Sequence, residues 1–262
     1  MIKDITLGQY FPGESIIHRM DPRVKIVLTA ILMVTLLIID SYISFSLFAI
    51  LVFAAVAVSK VPVRYTLKGL KPILFIVVFA AIVNIFFTPG TEVLSFKYIR
   101  ITFEGIHLAV KMAIRLSLLV IGTSLLTLTT TPIALTDGIE RLFEPLKHVK
   151  VPVHEFAMMM TIALRFIPTL LEETDKIMKA QISRGADFDS GNIVKRAKSF
   201  IPILVPLFVS AFRRADELAD AMNARCYRGG IGRTRMNELH LSGIDAIASL
   251  VVIIFEILIL LF

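Results

Sequence analysis

Residues 24–39 read VKIVLTAILMVTLLII, with no charge between Lys25 and Asp40. A run of this length and character satisfies its own backbone only as a helix when water is absent, and it lies near the lower length limit for crossing a bilayer. Four further apolar runs follow the same pattern: about 43–58, 72–87, 105–128 and 243–262. The composition agrees, since 56% of residues are hydrophobic and only 19% are charged, and mean hydropathy is +0.80. A soluble domain carries about a quarter of its residues as charges. The expected fold is therefore an all-α membrane protein with about five transmembrane helices.

The net charge of +7 and pI near 9.6 do not require nucleic acid, because lysine and arginine accumulate in short cytoplasmic loops. Arg19, Arg23 and Lys25 precede the first run, and Lys60, Arg64, Lys68 and Lys71 lie between the second and third. Both flanks belong in the cytoplasm, which places the N-terminus inside and the 89–104 hairpin outside. The alternating SFKYIRITF of that hairpin suits a small ribbon. The first twenty residues are polar (Lys3, Asp4, Gln9, Glu14, His18, Arg19) and are not expected to form a cleavable signal. One cysteine, Cys226, excludes an internal disulfide, and no metal-type Cys/His spacing occurs.

The expected organisation is a cytoplasmic segment 1–23, a four-span region 24–130, a cytoplasmic region 131–242 and a last span 243–262. The long cytoplasmic region reads as amphipathic helix. Phe156, Met159, Met160, Ala163, Phe166, Ile167, Leu170 and Leu171 recur at helical spacing, opposite Glu172, Glu173, Asp175 and Lys176. Pro168 is expected to kink this helix without ending it, with Gly185 as its stop. A second helical stretch over 191–225, interrupted by Pro202 and Pro206, carries Leu207, Phe208, Ala211, Phe212, Ala215 and Leu218 on one side. Segregated helices of this kind lie along an interface or against partner helices.

Each stretch ends on a small-Arg-small triplet: Ser183-Arg184-Gly185 and Ala224-Arg225-Cys226. Two readings stand side by side. A cation near a helix C-terminus followed by glycine is an ordinary helix stop. Alternatively each guanidinium projects into an acidic groove on a partner, where its planar fork holds a carboxylate.

With these motifs the sequence resembles the T components of energy-coupling-factor (ECF) vitamin and metal transporters. His18-Arg19-Met20-Asp21-Pro22-Arg23-Val24-Lys25 is similar to that family's H-x-L-D-P-R-x-K lead-in to the first span, with Met in place of Leu. The two triplets are similar to its Ala-Arg-Gly motifs, with Ser183 and Cys226 as departures that keep a small residue beside the arginine. The resemblance implies a non-catalytic scaffold in a prokaryotic plasma membrane. It implies two ABC-type ATPase partners, coupled through Ser183, Arg184, Gly185, Ala224, Arg225 and Cys226. It further implies one or more exchangeable substrate-binding S components, which would lie against Phe156, Met159, Met160, Ala163, Phe166, Ile167, Leu207, Phe208 and Phe212. ATP and magnesium would belong to the ATPases, and no cofactor to this chain. Adaptable methionines (Met158–Met160, Met178, Met222) suit a surface shared by several partners.

An alternative of a different class is a magnesium-dependent membrane prenyltransferase using Asp216 and Asp220, four residues apart on one helical face. Such an enzyme requires a second acidic pair across the site, and Glu172-Glu173-x-Asp175 has neither the spacing nor the position. Arg213 and Arg214 are expected to balance the aspartates on a solvated face. Within the spans, Lys111, Arg115 and Glu256 are costly charges, and Glu256 is expected to pair with one of the two cations. The histidines are scattered, and no Walker-type G-x-x-x-x-G-K-[ST] occurs.

Overall fold

The computed structural model describes residues 10–96, 99–188, 192–229 and 239–261. They fall into two compact units, one built from residues 10–142 and 239–261 and the other from residues 143–188 and 192–229.

The first unit contains α1 (Ile16–Arg19), α2 (Pro22–Ile38), α3 (Tyr42–Ser59), α4 (Val63–Lys68), α5 (Lys71–Phe87), α6 (Phe103–Thr129), α7 (Pro132–Leu142) and α11 (Gly243–Leu261). The five apolar runs of the sequence are α2, α3, α5, α6 and α11. By length and apolarity α3, α6 and α11 are long enough to cross a membrane, while α5 is a shorter apolar helix. Strands β1 (Glu92–Phe96) and β2 (Ile99–Thr102) pair antiparallel between α5 and α6, so the expected ribbon is present. Lys97 and Tyr98, at its tip, lie outside the described residues.

The core gathers around α3. Phe45, Phe48, Val52 and Val56 meet Leu36 of α2 and Ile39 at its C-cap, Leu118 and Ile121 from α6, and Ile259 from α11. Away from this seam the helices are apolar on the outside too. On α5, Phe75 is 77% and Phe87 81% exposed, and no α5 residue is buried. In water such surface would collapse, whereas in hydrocarbon it needs no cover. Packing of α5 on α6 is close because Gly105 has no side chain: a Cβ there would stand 2.7 Å from the Asn84 carbonyl oxygen. Thr102 caps α6, accepting from the Gly105 amide at 3.1 Å.

The second unit holds a 3-10 turn (Glu144–Val149), α8 (Val153–Ser183), α9 (Ile193–Ser199) and α10 (Ile201–Ala224). Helix α8 passes through Pro168 without a break, as the periodicity predicts. The interruption expected in the second stretch falls at Phe200, between α9 and α10. Pro202 then occupies the first turn of α10, where its missing N–H has no intrahelical partner to lose, and Pro206 is carried inside the helix.

Candidate functional site

Helices α8 and α10 pack as an antiparallel pair. The Tyr227 hydroxyl donates to the Met158 sulfur at 3.1 Å, Arg214 donates to Glu173 at 2.8 Å, and Gln181 donates to the Pro202 carbonyl at 3.4 Å. As numbering rises along α8 it falls along α10, so the C-terminus of each helix lies at the N-terminal end of the other. Arg214 is therefore committed across the pair. It does not balance Asp216 and Asp220 along its own helix, as the charge pattern suggested, because Glu173 stands opposite it. The Arg214 hydrogen bond, against the smaller opposing effect of burial, and further bonds and charge from Ser210 and Lys176 hold the Glu173 carboxyl below its ordinary range.

The two helix ends are built alike. At α8 the Ala186 amide donates to the Gln181 carbonyl at 3.0 Å and the Gly185 amide to Ile182 at 2.9 Å. At α10 the Tyr227 amide donates to the Met222 carbonyl at 3.0 Å and the Cys226 amide to Asn223 at 2.9 Å. Both are Schellman motifs, with the residue after the C-cap in the left-handed region. Gly185 has φ +88° and Cys226 has φ +57°. Arg184 and Arg225 occupy the identical C-cap position, with φ −90° in each case and ψ of 6° and 13°. Both arginines are exposed, and among the described residues neither guanidinium has a hydrogen-bond or ion-pair partner.

Separation follows from the antiparallel register. Arg225 is two residues from Tyr227, which bonds Met158, while Arg184 is at the far end of α8. At about 1.5 Å rise per residue the two arginine ends stand roughly 40 Å apart. The triplets, adjacent in no sense, are thus two separate grips.

The sides of the pair remain apolar and uncovered. Phe156, Met159 and Met160 on α8 are more than half exposed, as are Phe208 and Phe212 on α10, the last at 70%. Ala163 is exposed, and Phe166, Ile167 and Leu207 are half-buried. Asp216 and Asp220 are both exposed. Among the described residues no cluster of three His, Cys, Asp or Glu is placed to hold a metal ion. Residues 230–238, which follow the second motif in sequence, lie outside the described residues.

The lead-in motif builds a clasp in the first unit. Asp21 caps α2, accepting from the Arg23 amide at 2.8 Å, and the Arg23 guanidinium returns to the same carboxylate at 2.7 Å. Arg23 also donates to the Leu239 carbonyl at 3.1 Å. The Asp21 amide donates to Asp245 of α11 at 2.8 Å, and Asp245 accepts from the Ser242 amide at 2.7 Å and hydroxyl at 2.9 Å. Lys25 is buried and donates to the Thr129 carbonyl at the end of α6, at 3.0 Å. His18 donates through Nε2 to the Phe11 carbonyl at 3.0 Å and accepts the Ser15 hydroxyl through Nδ1 at 2.7 Å. Burial opposes charge on Asp21, but the Arg23 side chain and amide, with Lys25, outweigh it and hold the carboxyl below its ordinary value. Sequence reasoning missed Asp245. The signal was present, because Ser242-Gly-Ile-Asp245 before an apolar run is a capping box.

The charges within the apolar helices do not pair as expected. Arg115 donates to Asp40 at 2.9 Å and to the Ile39 carbonyl, and its guanidinium lies over the Phe45 ring at 5.5 Å. Lys111 stands 5.5 Å over the Tyr42 ring. Glu256 is buried and faces neither cation, because α11 packs against α3 and α2. Its oxygens make no hydrogen bond meeting normal geometry among the described residues, and the buried Thr35 side chain is the polar group beside it.

An apolar helical layer whose outer faces are uncovered, together with amphipathic helices bearing two matched arginine ends, defines a membrane protein with two exposed cationic helix ends. Residues 13–237 match the family model CbiQ, cobalt transport protein. The chain is 62% identical over 255 residues to the energy-coupling factor transporter transmembrane protein EcfT of Ruminiclostridium cellulolyticum, covering 97% of this chain and 96% of the relative. It is 59% identical to the EcfT of Clostridium kluyveri over 95% of this chain and 93% of that one, and 45% identical to that of Bacillus subtilis over 97% of each. The chain belongs to this family of ECF transporter transmembrane proteins, which are transport components and not enzymes. The prenyltransferase alternative has no support.

Proposed function

We propose that the chain transmits the motion of two ABC-type ATPases to a substrate-binding S component in the plasma membrane of a prokaryote. In this reading α2, α3, α5, α6 and α11 all span, the N-terminus is cytoplasmic, and residues 131–242 form the cytoplasmic coupling region. The observation that carries it is the pair of matched C-caps. Arg184 and Arg225 sit in the same local geometry at opposite ends of one antiparallel helix pair. Schellman ends are common helix stops; what favours coupling is that each of these carries an exposed arginine without a partner among the described residues, so that two ATPases can be gripped alike at a distance.

The residues divide the work by their chemistry. Each arginine's fork is suited to a carboxylate in a groove of an ATPase. Ser183, Gly185, Ala224 and Cys226 are small enough to let that groove close around it. The apolar faces carrying Phe156, Met159, Met160, Phe208 and Phe212 receive the S component, with Ala163, Phe166, Ile167 and Leu207 at their margins. ATP and magnesium are held by the ATPases, and no cofactor is assigned to this chain.

Purification of the tagged chain from its native membrane tests this. ATPase subunits should accompany wild type, weaken with Arg184→Ala or Arg225→Ala, and be lost with both. Full retention by the double variant would reduce the arginines to helix stops.

A further inference from the structure

Lys111 is an intramembrane cation that makes no ion pair with any described residue. It lies eight residues into α6, a helix long and apolar enough to span. It is half-buried, and its recorded contact is the Tyr42 ring. The nearby charged groups make their own contacts elsewhere. Arg115, one turn deeper, is neutralised by Asp40. Glu104 also lines this open groove and keeps its negative charge; its oxygens accept from the Thr91 amide at 2.7 Å and the Thr91 hydroxyl at 3.0 Å and make no ion pair with Lys111.

The groove is lined by Phe103, Glu104, His107, Leu108 and Lys111. The His107 ring meets Tyr42 edge-on at 4.7 Å between centroids and stacks on Phe103 at 6.2 Å. Tyr42, shared by His107 and Lys111, thus fixes both on one side of α6, where residues four apart are neighbours. Beside them Phe103 is 61% and Leu108 38% exposed. Cation, imidazole and aromatic rings are gathered near the start of a spanning helix, roughly 12 Å along it at Lys111. Uncovered apolar surface lies alongside. A soluble anion would leave that surface without a partner, whereas a lipid offers phosphate to the one part and acyl chain to the other.

We propose that this groove binds the headgroup of an anionic phospholipid, with Lys111 and His107 on the phosphate and Phe103 and Leu108 against the chain. The assignment rests on α6 crossing the membrane, and the N-terminal orientation proposed above puts the lipid in the outer leaflet.

The test uses the complete transporter reconstituted in nanodiscs of equal parts phosphatidylcholine and phosphatidylglycerol, with retained lipids counted by native mass spectrometry after release into detergent. Wild type and Lys111→Arg should retain phosphatidylglycerol preferentially. Lys111→Gln should lower that preference about fivefold, the factor one lysine contributes near an anionic surface, and His107→Ala should lower it less. Unchanged preference in Lys111→Gln would overturn the proposal. So would binding of inorganic phosphate at these residues in lipid-free protein, which would assign the groove to a soluble anion. Co-purified ATPase, scored on the same samples, reports separately on the transport reading and on folding of each variant.

Discussion

The backbone amide of Asp21 donates to the Asp245 carboxylate at 2.8 Å across 224 residues of sequence, within the buried interior of the first unit. One carboxylate thereby serves the starts of two helices, since its second oxygen accepts from Ser242. Replacing Asp245 with alanine strands the Asp21 and Ser242 amides. We expect a loss of about 2–3 kcal/mol, read as a lower melting temperature of the detergent-solubilised chain, with Asp245→Asn intermediate. An unaltered melt for the alanine variant would show that the clasp adds nothing to stability.

Acid should loosen the same clasp. The folded state holds the Asp21 carboxyl below its ordinary value, so its contribution is complete above the unfolded carboxylate pKa and disappears as pH falls through the lower folded one. Between those two values the wild-type melting temperature should fall more steeply than that of Asp21→Asn. Parallel curves would count against this assignment.

The two arginine grips differ on both sides of the arginine, and the difference after it, Gly185 against Cys226, should be measurable. Cys226 holds a conformation that glycine adopts freely and other residues adopt at a cost. We expect Cys226→Gly to stabilise α10 by about 1 kcal/mol and Gly185→Ala to destabilise α8 by a similar amount, both seen by amide exchange at the helix ends. Opposite signs would mean that contacts of the thiol outweigh the backbone.

Glu256 provides a prediction of the reverse kind to Asp245. A buried carboxylate without a normal hydrogen bond is worse than a hydrocarbon of similar size. Glu256→Leu should therefore leave ATPase co-purification intact and raise stability by about 1–3 kcal/mol. A destabilised variant would reveal a partner for the carboxylate.

What could be read in advance divides along a physical line. The five apolar helices and the continuity of α8 through Pro168 were legible because each depends on a local period in the sequence. The arginine triplets were legible as motifs, but their placement at opposite ends of a pair was not, because antiparallel register is fixed by side chains such as Glu173 and Arg214 from different helices. Glu256 was assigned a partner by the general cost of intramembrane charge. That cost holds whatever the partner, so it could not say that Asp40 would claim Arg115. Cys226 looked like a conservative small residue, and only its positive φ shows that it stands in the place of a glycine.

The clasp also sets an order of events during synthesis. Asp21 opens α2, yet the carboxylate that accepts its amide is translated 224 residues later. Until α11 arrives, the first helix holds its position without its final lock. A chain cut before Asp245 therefore leaves the Asp21 amide, at the start of α2, without its carboxylate acceptor.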